Sequence, residues 1–283
     1  MSNHFSGWYL KCQSDDQTLA IIPAIHQTGR SRTGSVQLIT RDGTWNVLYP
    51  AGALRGDPAS SSLSIGANRF TQHGFRLDIR TPELTAAGAL HFGPLTPLRY
   101  DIMGPFSLVP FLECRHSVRS MRHLVCGSLC INGREYSFPH GIGYWEGDRG
   151  RSFPREYAWT QCLFPGGSLM LCAADIPLAG IRFTGILGVV LYHGREYRLA
   201  TYLGAKAVQI GNRSIRIVQG DLELEARLLK DSHRPLRAPA GGAMTRTIHE
   251  SVSCRAFYRF RKAGRTVFAF ETERSSFEYE YPS

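Results

Sequence analysis

The sequence predicts an all-β protein built from antiparallel barrels or half-barrels. Three observations support this: apolar and polar residues alternate in short segments, glycine-containing turns separate the segments, and no stretch of fifteen residues sustains a good helical apolar stripe, apart from a weak one near 115–124. Because open sheet edges invite aggregation, a chain of hairpins without crossover helices is expected to close or half-close its sheets.

Four segments have the pattern of β-hairpins, with a strand-like run on each side of a glycine turn. The pair Asn132-Gly133 gives the strongest prediction, because a type I′ turn needs positive φ at both central residues. The tetrapeptide GREY occurs at 133–136 and again at 194–197, which fits either a repeated strand–turn–strand unit or chance. The predicted hairpins span 35–49, 127–138, 188–199 and 257–270.

Composition and charge narrow the class of protein. At 283 residues, 43% of them hydrophobic and 20% charged, the chain is an ordinary globular protein. Its apolar stretches are too short for a transmembrane segment and no signal peptide is visible, so we expect a cytoplasmic protein whose seven cysteines are reduced. The net charge of +10 leaves peripheral membrane contact open, but the basic residues are scattered without a recognisable module, which predicts no nucleic-acid partner.

The stretch GYWEGDRGRSFPREYAWTQC at 143–162 sets acids among aromatic residues. Its first half is predicted to be turn-like and its second half to enter a strand. Glycines let the backbone fold tightly, so Glu146 and Asp148 could point into a pocket. Beside Tyr144 and Trp145, desolvation would raise the pKa of such a carboxyl and make it a general acid. The alternative is a charged surface loop in which the acids pair with nearby arginines.

The stretch ECRHSVRSMRH at 113–123 supplies cations and two histidines. His116 and His123 are seven residues apart, so on a strand they would lie on opposite faces, whereas Arg119 and His123 would share one. These cations could bind a polar head group, or the histidine could be hydrogen-bonded core. No metal site is predicted, since the spacing is poor and a third ligand is missing. No cofactor is predicted, because no nucleotide-binding loop is present.

Four stretches together resemble the tocopherol cyclase family, and its bacterial branch more closely. The resemblance runs from residue 5 to about residue 275 and so covers almost the whole chain. The matching stretches are FxGWYxK at 5–11, CxHxVxSMxH at 114–123, GIGYxEGDRGRSFPxxYxWTQC at 141–162 and LEAR…PLRAP at 224–239.

The resemblance implies two consecutive lipocalin-like domains, over 1–150 and 151–283, and a reaction on a prenylated quinol or other isoprenoid lipid. An acid protonates the prenyl double bond, and the phenolic oxygen attacks the resulting tertiary carbocation. Aromatic faces stabilise that cation, and a dry pocket keeps water away. Hydration of the double bond is the related reaction. The rival hypothesis is a non-catalytic carrier of an isoprenoid or quinone-like lipid.

The resemblance also implies roles for individual residues. Glu146 aligns with a glutamate of the plant enzymes and is the first choice for the proton donor. Asp148 aligns with an amide-bearing residue there and is the second choice, with His123 as the third member of the predicted catalytic set. Histidines 116 and 123 match only the bacterial branch. The predicted substrate-binding residues are Trp8, Tyr9, Lys11, His116, Arg119, Tyr144, Trp145, Trp159, Gln161 and Arg237.

Overall fold

The structure is a computed structural model that describes residues 3–59, 61–110, 112–178, 180–230 and 234–282. Over these residues the secondary structure is β-strand apart from three short 3₁₀ helices, so the prediction of an all-β fold is confirmed. In the same ranges, no helix has the length and apolar character needed to span a membrane. The 3₁₀ helices are Ala51–Ala53, Gly104–Leu108 and Thr201–Leu203.

The chain divides into two compact units, which are described separately. Unit 1 comprises residues 1–99, 114–153 and 237–246, and unit 2 comprises residues 100–113, 154–236 and 247–283. Two antiparallel sheets, each an open path of strands over the described residues, give the chain two consecutive half-barrels.

The first sheet places the N-terminal strand at its centre. Its strands are β1 (His4–Gln13), β2 (Thr18–Thr28), β3 (Ser31–Thr40), β4 (Thr44–Pro50), β5 (Leu54–Asp57), β6 (Ser62–Ile65), β7 (Asn68–Thr71), β8 (Gly74–Arg80), β9 (Thr85–Phe92), β10 (Cys114–Ile131), β11 (Arg134–Ser137) and β12 (Gly141–Gly150). The order is β4-β3-β2-β1-β12-β10-β9-β8-β7-β6-β5, with β11 beside β10. Strand β12 therefore lies between β1 and β10, although residues 14–140 separate β1 from β12 in sequence.

The second sheet has the same antiparallel character. Its strands are β13 (Tyr157–Phe164), β14 (Gly167–Leu178), β15 (Ile181–Tyr192), β16 (Arg195–Ala200), β17 (Lys206–Gly211), β18 (Ser214–Gln219), β19 (Leu222–Lys230), β20 (Arg234–Ala240), β21 (Ala243–Lys262) and β22 (Arg265–Tyr279). The order is β16-β15-β14-β13-β22-β21-β19-β18-β17, with β20 beside β21.

The four predicted hairpins are confirmed as β3–β4, β10–β11, β15–β16 and β21–β22. Asn132 and Gly133 have φ of 48° and 79°, as a type I′ turn requires. His193 and Gly194 have φ of 46° and 74°, so the same turn recurs. In both copies of GREY the glycine is the second turn residue and the other three open the return strand, which accounts for the repeat as hairpin chemistry.

The two faces of β12 differ in chemistry because side chains alternate along a strand. Trp145 packs in the apolar core of unit 1 together with Trp8 and Leu10 of β1, and this side of the sheet is called the core face. Glu146 and Asp148 lie on the other side, called the acid face.

The prediction that residues 143–150 are turn-like is wrong, because they belong to a central strand. Their glycines allow close approach instead of a turn. A Cβ on Gly143 would lie 2.4 Å from Nε2 of His123, and one on Gly147 would lie 3.0 Å from the carbonyl oxygen of Gly7. Gly143 therefore leaves room for the ring of His123, and Gly147 leaves room for the backbone of β1.

Candidate active site

The acid face carries a cluster of one histidine and two carboxylates, of which Glu146 is buried and His116 and Asp148 are partly exposed. Register places Asp148 of β12 opposite His116 of β10, and Glu146 follows on the same face. Nδ1 of His116 lies 2.9 Å from Oδ1 of Asp148, and Nε2 lies 3.3 Å from Oε2 of Glu146. The second contact has ion-pair distance without hydrogen-bond geometry. The imidazole thus stands between two carboxylates.

Other polar side chains surround this cluster. The Tyr144 hydroxyl donates to Oε2 of Glu146 at 2.5 Å, and the Cys114 thiol lies 3.7 Å from Oδ1 of Asp148. Across the ladder, Tyr9 is opposite Glu146 and Lys11 is opposite Tyr144. Lys11 is fully buried. Strands β1, β10 and β12 thus bring six of the predicted site residues to one face: Tyr9, Lys11, His116, Tyr144, Glu146 and Asp148.

The two carboxylates set the charge of His116. Burial alone would lower its pKa, but attraction to Asp148 and Glu146 and the hydrogen bond to Asp148 outweigh burial, so the pKa of His116 is raised well above its ordinary value. The ring is therefore an imidazolium at neutral pH. Burial, followed by the charge of Glu146, raises the pKa of Tyr144 well above its ordinary value, so its hydroxyl keeps its hydrogen and remains a donor.

The chemistry of these three side chains also suits a metal ion. His116, Glu146 and Asp148 offer ligand atoms within 4.8 Å of one another. However, Asp148 contacts one ring nitrogen of His116 and Glu146 contacts the other. A metal ion bound to one of these nitrogens would need both carboxylates on the same side of the ring. The arrangement fits a protonated ring between two acceptors better, and the prediction that no metal binds here stays a prediction.

Comparison of sequences gives one informative relative. No family model matches the chain. The chloroplastic tocopherol cyclase of Zea mays is 26% identical over 164 residues, which are 52% of this chain and 34% of the maize protein. The match thus spans about a third of the maize protein's length. The predicted resemblance to tocopherol cyclase is supported over half of this chain.

Comparison of structures covers nearly the whole chain. CghA gives a TM-score of 0.62 at 8% identity, covering 98% of this chain and 88% of its own. A protein described as AttH from Nitrosomonas europaea gives a TM-score of 0.57 at 11% identity, covering 100% of this chain and 93% of its own. Kievitone hydratase from Nectria haematococca gives a TM-score of 0.54 at 9% identity, covering 98% of this chain and 89% of its own. These proteins share the fold.

Three of the predicted binding residues lie on the core face. The Arg119 guanidinium carbon is 5.4 Å from the ring centroids of both Trp8 and Trp145. Arg119 donates to the carbonyl oxygen of Pro58 at 2.8 Å, and Trp8 donates to the same oxygen at 3.0 Å. Burial lowers the pKa of Arg119. This arginine therefore fastens the loop after β5 and does not join the carboxylates.

His123 also lies on the core face, opposite to His116, as their odd spacing predicted. Its Nδ1 is 3.0 Å from Oγ of Ser120, and its ring centroid is 4.4 Å from that of Phe92. Burial lowers the pKa of His123 to about 4, so the ring is neutral at pH 7. It is separated from the acid face by the sheet itself, and its predicted catalytic role stays a prediction.

The remaining predicted residues lie elsewhere in the chain. Trp159 and Gln161 are in β13 of unit 2, on the side of the strand opposite that unit's apolar core. Arg237 is exposed in unit 1, where its backbone N–H and carbonyl pair with the side chain of Gln37 at 3.1 and 3.0 Å.

Sequence reasoning missed a second acidic cluster, in unit 2. Glu250 and Glu278 are cross-strand partners and are 1% and 8% exposed. The Tyr157 hydroxyl donates to Oε2 of Glu278, which is also the ladder partner of Trp159. The available signal was weak: Glu278 lies in the alternating run SFEYEY near the C-terminus, where acids at such spacing are usually solvated.

Proposed function

We propose that the protein is an acid-catalysed cyclase or hydratase of the tocopherol cyclase type, acting on a prenyl double bond of a prenylated quinol or other isoprenoid lipid. The observation that carries the proposal is the position of the His116 ring between Glu146 and Asp148, with Glu146 buried. The similarity to the maize tocopherol cyclase supports cyclisation, and the fold shared with kievitone hydratase agrees with hydration.

The first step is formation of the acid. In the resting cluster the mobile proton is on His116. An apolar prenyl chain on the acid face would displace water, and desolvation disfavours an ion pair relative to a neutral imidazole and a neutral carboxyl. The Glu146 carboxyl group, whose Oε2 lies 3.3 Å from Nε2 of His116, turns to accept a hydrogen bond from that nitrogen, and the proton moves along it to Oε2. Asp148 keeps the ring in place by accepting the hydrogen of Nδ1.

The second step is protonation of the alkene. Glu146 transfers its proton to the less substituted carbon of the double bond and becomes a carboxylate again. A positioned acid of this kind contributes about 10²–10⁴-fold to the rate. The negative charge left on Glu146, with Asp148 nearby, stabilises the tertiary carbocation electrostatically. Tyr144 offers an aromatic ring beside that carboxylate.

The final step returns the proton. In cyclisation the phenolic oxygen forms the new carbon–oxygen bond and its proton goes to Glu146 or His116, so the product is an isomer of the substrate. In hydration a water molecule attacks instead and loses a proton to the same groups. Neither reaction needs an oxidant or a reductant. Within this proposal Trp159, Gln161, Lys11 and Tyr9 remain candidate substrate-binding residues, and the cytoplasmic location also stays a prediction.

The test is turnover of a prenylated quinol in heavy water. Wild-type protein is expected to give a chromanol or tertiary alcohol carrying one deuterium on the carbon next to the new carbon–oxygen bond, identified by mass spectrometry. Glu146→Gln should abolish product, because the amide cannot donate the proton. Glu135→Gln is the matched control, since Glu135 is an exposed glutamate of the same sheet.

The outcomes separate catalysis from carriage. Lipid that copurifies with wild type and Glu146→Gln alike, with no deuterated product from either, would favour the carrier. Product from wild type that persists in Glu146→Gln but disappears in Asp148→Asn would move the acid to the second carboxylate. The folding of each variant is checked by its unfolding midpoint in urea.

A further inference from the structure

Three arginines form a row across the outer face of the sheet in unit 1. Arg69 of β7 lies directly opposite Arg76 of β8. On the other side, Ser64 of β6 is opposite Arg69 and also opposite Arg55 of β5, so the row has one residue from each of four neighbouring strands. Because neighbouring strands are about 4.8 Å apart, the row spans about 14 Å. All three arginine side chains are exposed.

The row places like charges side by side. Like charges directly opposite each other destabilise a sheet, so the Arg69–Arg76 pair carries a cost that folding alone does not explain. The acids on the same face are engaged elsewhere: the Asp57 carboxylate accepts the N–H of Ala59, and Asp78 pairs with Arg80 at 3.1 Å. Among the described residues, no carboxylate lies within ion-pair distance of the three arginines.

The residues that continue the row along the ladder are small. Continuing from Arg76, the ladder passes through Ala89 of β9 and Ser128 of β10, which are small residues, and Ser64 lies within the row itself. The positive charge is also concentrated in this unit. Unit 1 holds 17 Lys and Arg against 9 Asp and Glu, whereas unit 2 holds 16 against 14.

We infer that this arginine face, formed by Arg55, Arg69 and Arg76, is the surface by which the protein docks on an anionic membrane. Guanidinium groups bind phosphate oxygens bidentately, and three of them in a row on neighbouring strands offer several such contacts to anionic lipid head groups. The choice of a membrane as the anion rests on the proposed function, since a prenyl lipid is dissolved in a bilayer and must be taken from it. The row lies on strands of one continuous sheet, whereas the major groove takes a helix or a free two-stranded ribbon.

The test is cosedimentation of the full chain with vesicles of phosphatidylcholine, alone or mixed with phosphatidylglycerol. Wild type should bind only the anionic vesicles, and binding should weaken with salt. Replacing Arg55, Arg69 and Arg76 together by glutamine should weaken partition roughly a hundredfold. The matched control removes the same charge from unit 2 through Arg195→Gln, Lys206→Gln and Arg265→Gln, all at exposed positions. Its binding to anionic vesicles should weaken far less.

Several results would overturn the inference. Equal losses in the two triple variants would mean that only net charge matters. Equal binding to neutral vesicles would remove the electrostatic basis. A loss of duplex DNA binding matching the loss of vesicle binding would assign the face to nucleic acid. Turnover of detergent-dissolved substrate is measured separately. If the arginine variant keeps this turnover but no longer binds vesicles, docking and catalysis are distinct. If wild type shows no turnover, the proposed function fails, while the vesicle-binding result stands on its own.

Discussion

The Tyr144 hydroxyl donates a hydrogen bond of 2.5 Å to Oε2 of Glu146, two residues further along the same strand. The same oxygen lies 3.3 Å from Nε2 of His116. One carboxylate oxygen is thus shared by a neutral donor and a cation. Because alternation along β12 places residues 144 and 146 on one face, the strand itself fixes the direction of the carboxyl group.

Tyr144→Phe tests whether this hydroxyl supports the proposed reaction. The substitution keeps the ring and removes the donor that stabilises Glu146 as it becomes a carboxylate again. A hydrogen bond to a charged group is worth about 1.5–3 kcal/mol, so turnover should fall roughly ten- to a hundredfold. The control is Tyr136→Phe, which removes a hydroxyl bonded to Asp42 in the same sheet and should leave turnover unchanged. Equal turnover in both variants would contradict the role of Tyr144.

The raised pKa of His116 predicts how stability changes at alkaline pH. The folded protein holds this proton more tightly than the unfolded chain, whose histidine has a pKa of about 6.5. The stabilisation is therefore complete below about pH 6.5 and is lost as the pH rises through the folded-state pKa. Urea unfolding of wild type and His116→Gln should give a difference in unfolding free energy that shrinks with rising pH. The exposed His140→Gln should show no such trend, and a difference for His116→Gln that stays constant would contradict an imidazolium in the cluster.

Gly143→Ala tests the contact between β12 and the ring of His123. The new Cβ would lie 2.4 Å from Nε2 of His123 and 2.8 Å from Cγ2 of Val125, so the ring or the strand must move. Overpacking of this kind costs about 1–3 kcal/mol of unfolding free energy. Gly52→Ala meets no atom within 4 Å and serves as the control. Equal midpoints in thermal unfolding would show that the ring moves freely.

The local features of the fold were predictable from the sequence. The turn Asn132-Gly133 fixed a hairpin because its backbone demands are local. Strand alternation likewise predicted that His116 and His123 lie on opposite faces, and this holds because the two register shifts between them cancel. The candidate site was only partly predictable. The sequence pointed to Glu146 and Asp148, but their contact with His116 depends on the pairing of β10 with β12, a register that no local pattern encodes.

Glycine content explains the main wrong prediction, which was a turn over residues 143–150. Glycines at positions 143, 147 and 150 suggested a turn, yet these residues form a strand at the centre of the sheet. In an isolated segment, glycine weakens a strand and usually marks a break. Here the space left by Gly143 is filled by a ring from β10 and that left by Gly147 by the backbone of β1, partners that are visible only after the sheet is assembled.

The buried neutral histidines predict an acid limit to stability. Burial lowers the pKa of His26 and His123 to about 4, whereas histidine in the unfolded chain has a pKa of about 6.5. Between these values the unfolded chain binds more protons, so stability falls as the pH falls. At pH 4 the loss from each ring is about 3 kcal/mol relative to neutral pH. In urea unfolding, the destabilisation caused by His123→Gln should therefore shrink by about this amount between neutral pH and pH 4, whereas the exposed His73→Gln should show no change. A pH-independent difference for His123→Gln would mean that His123 already titrates inside the folded protein near its ordinary pKa.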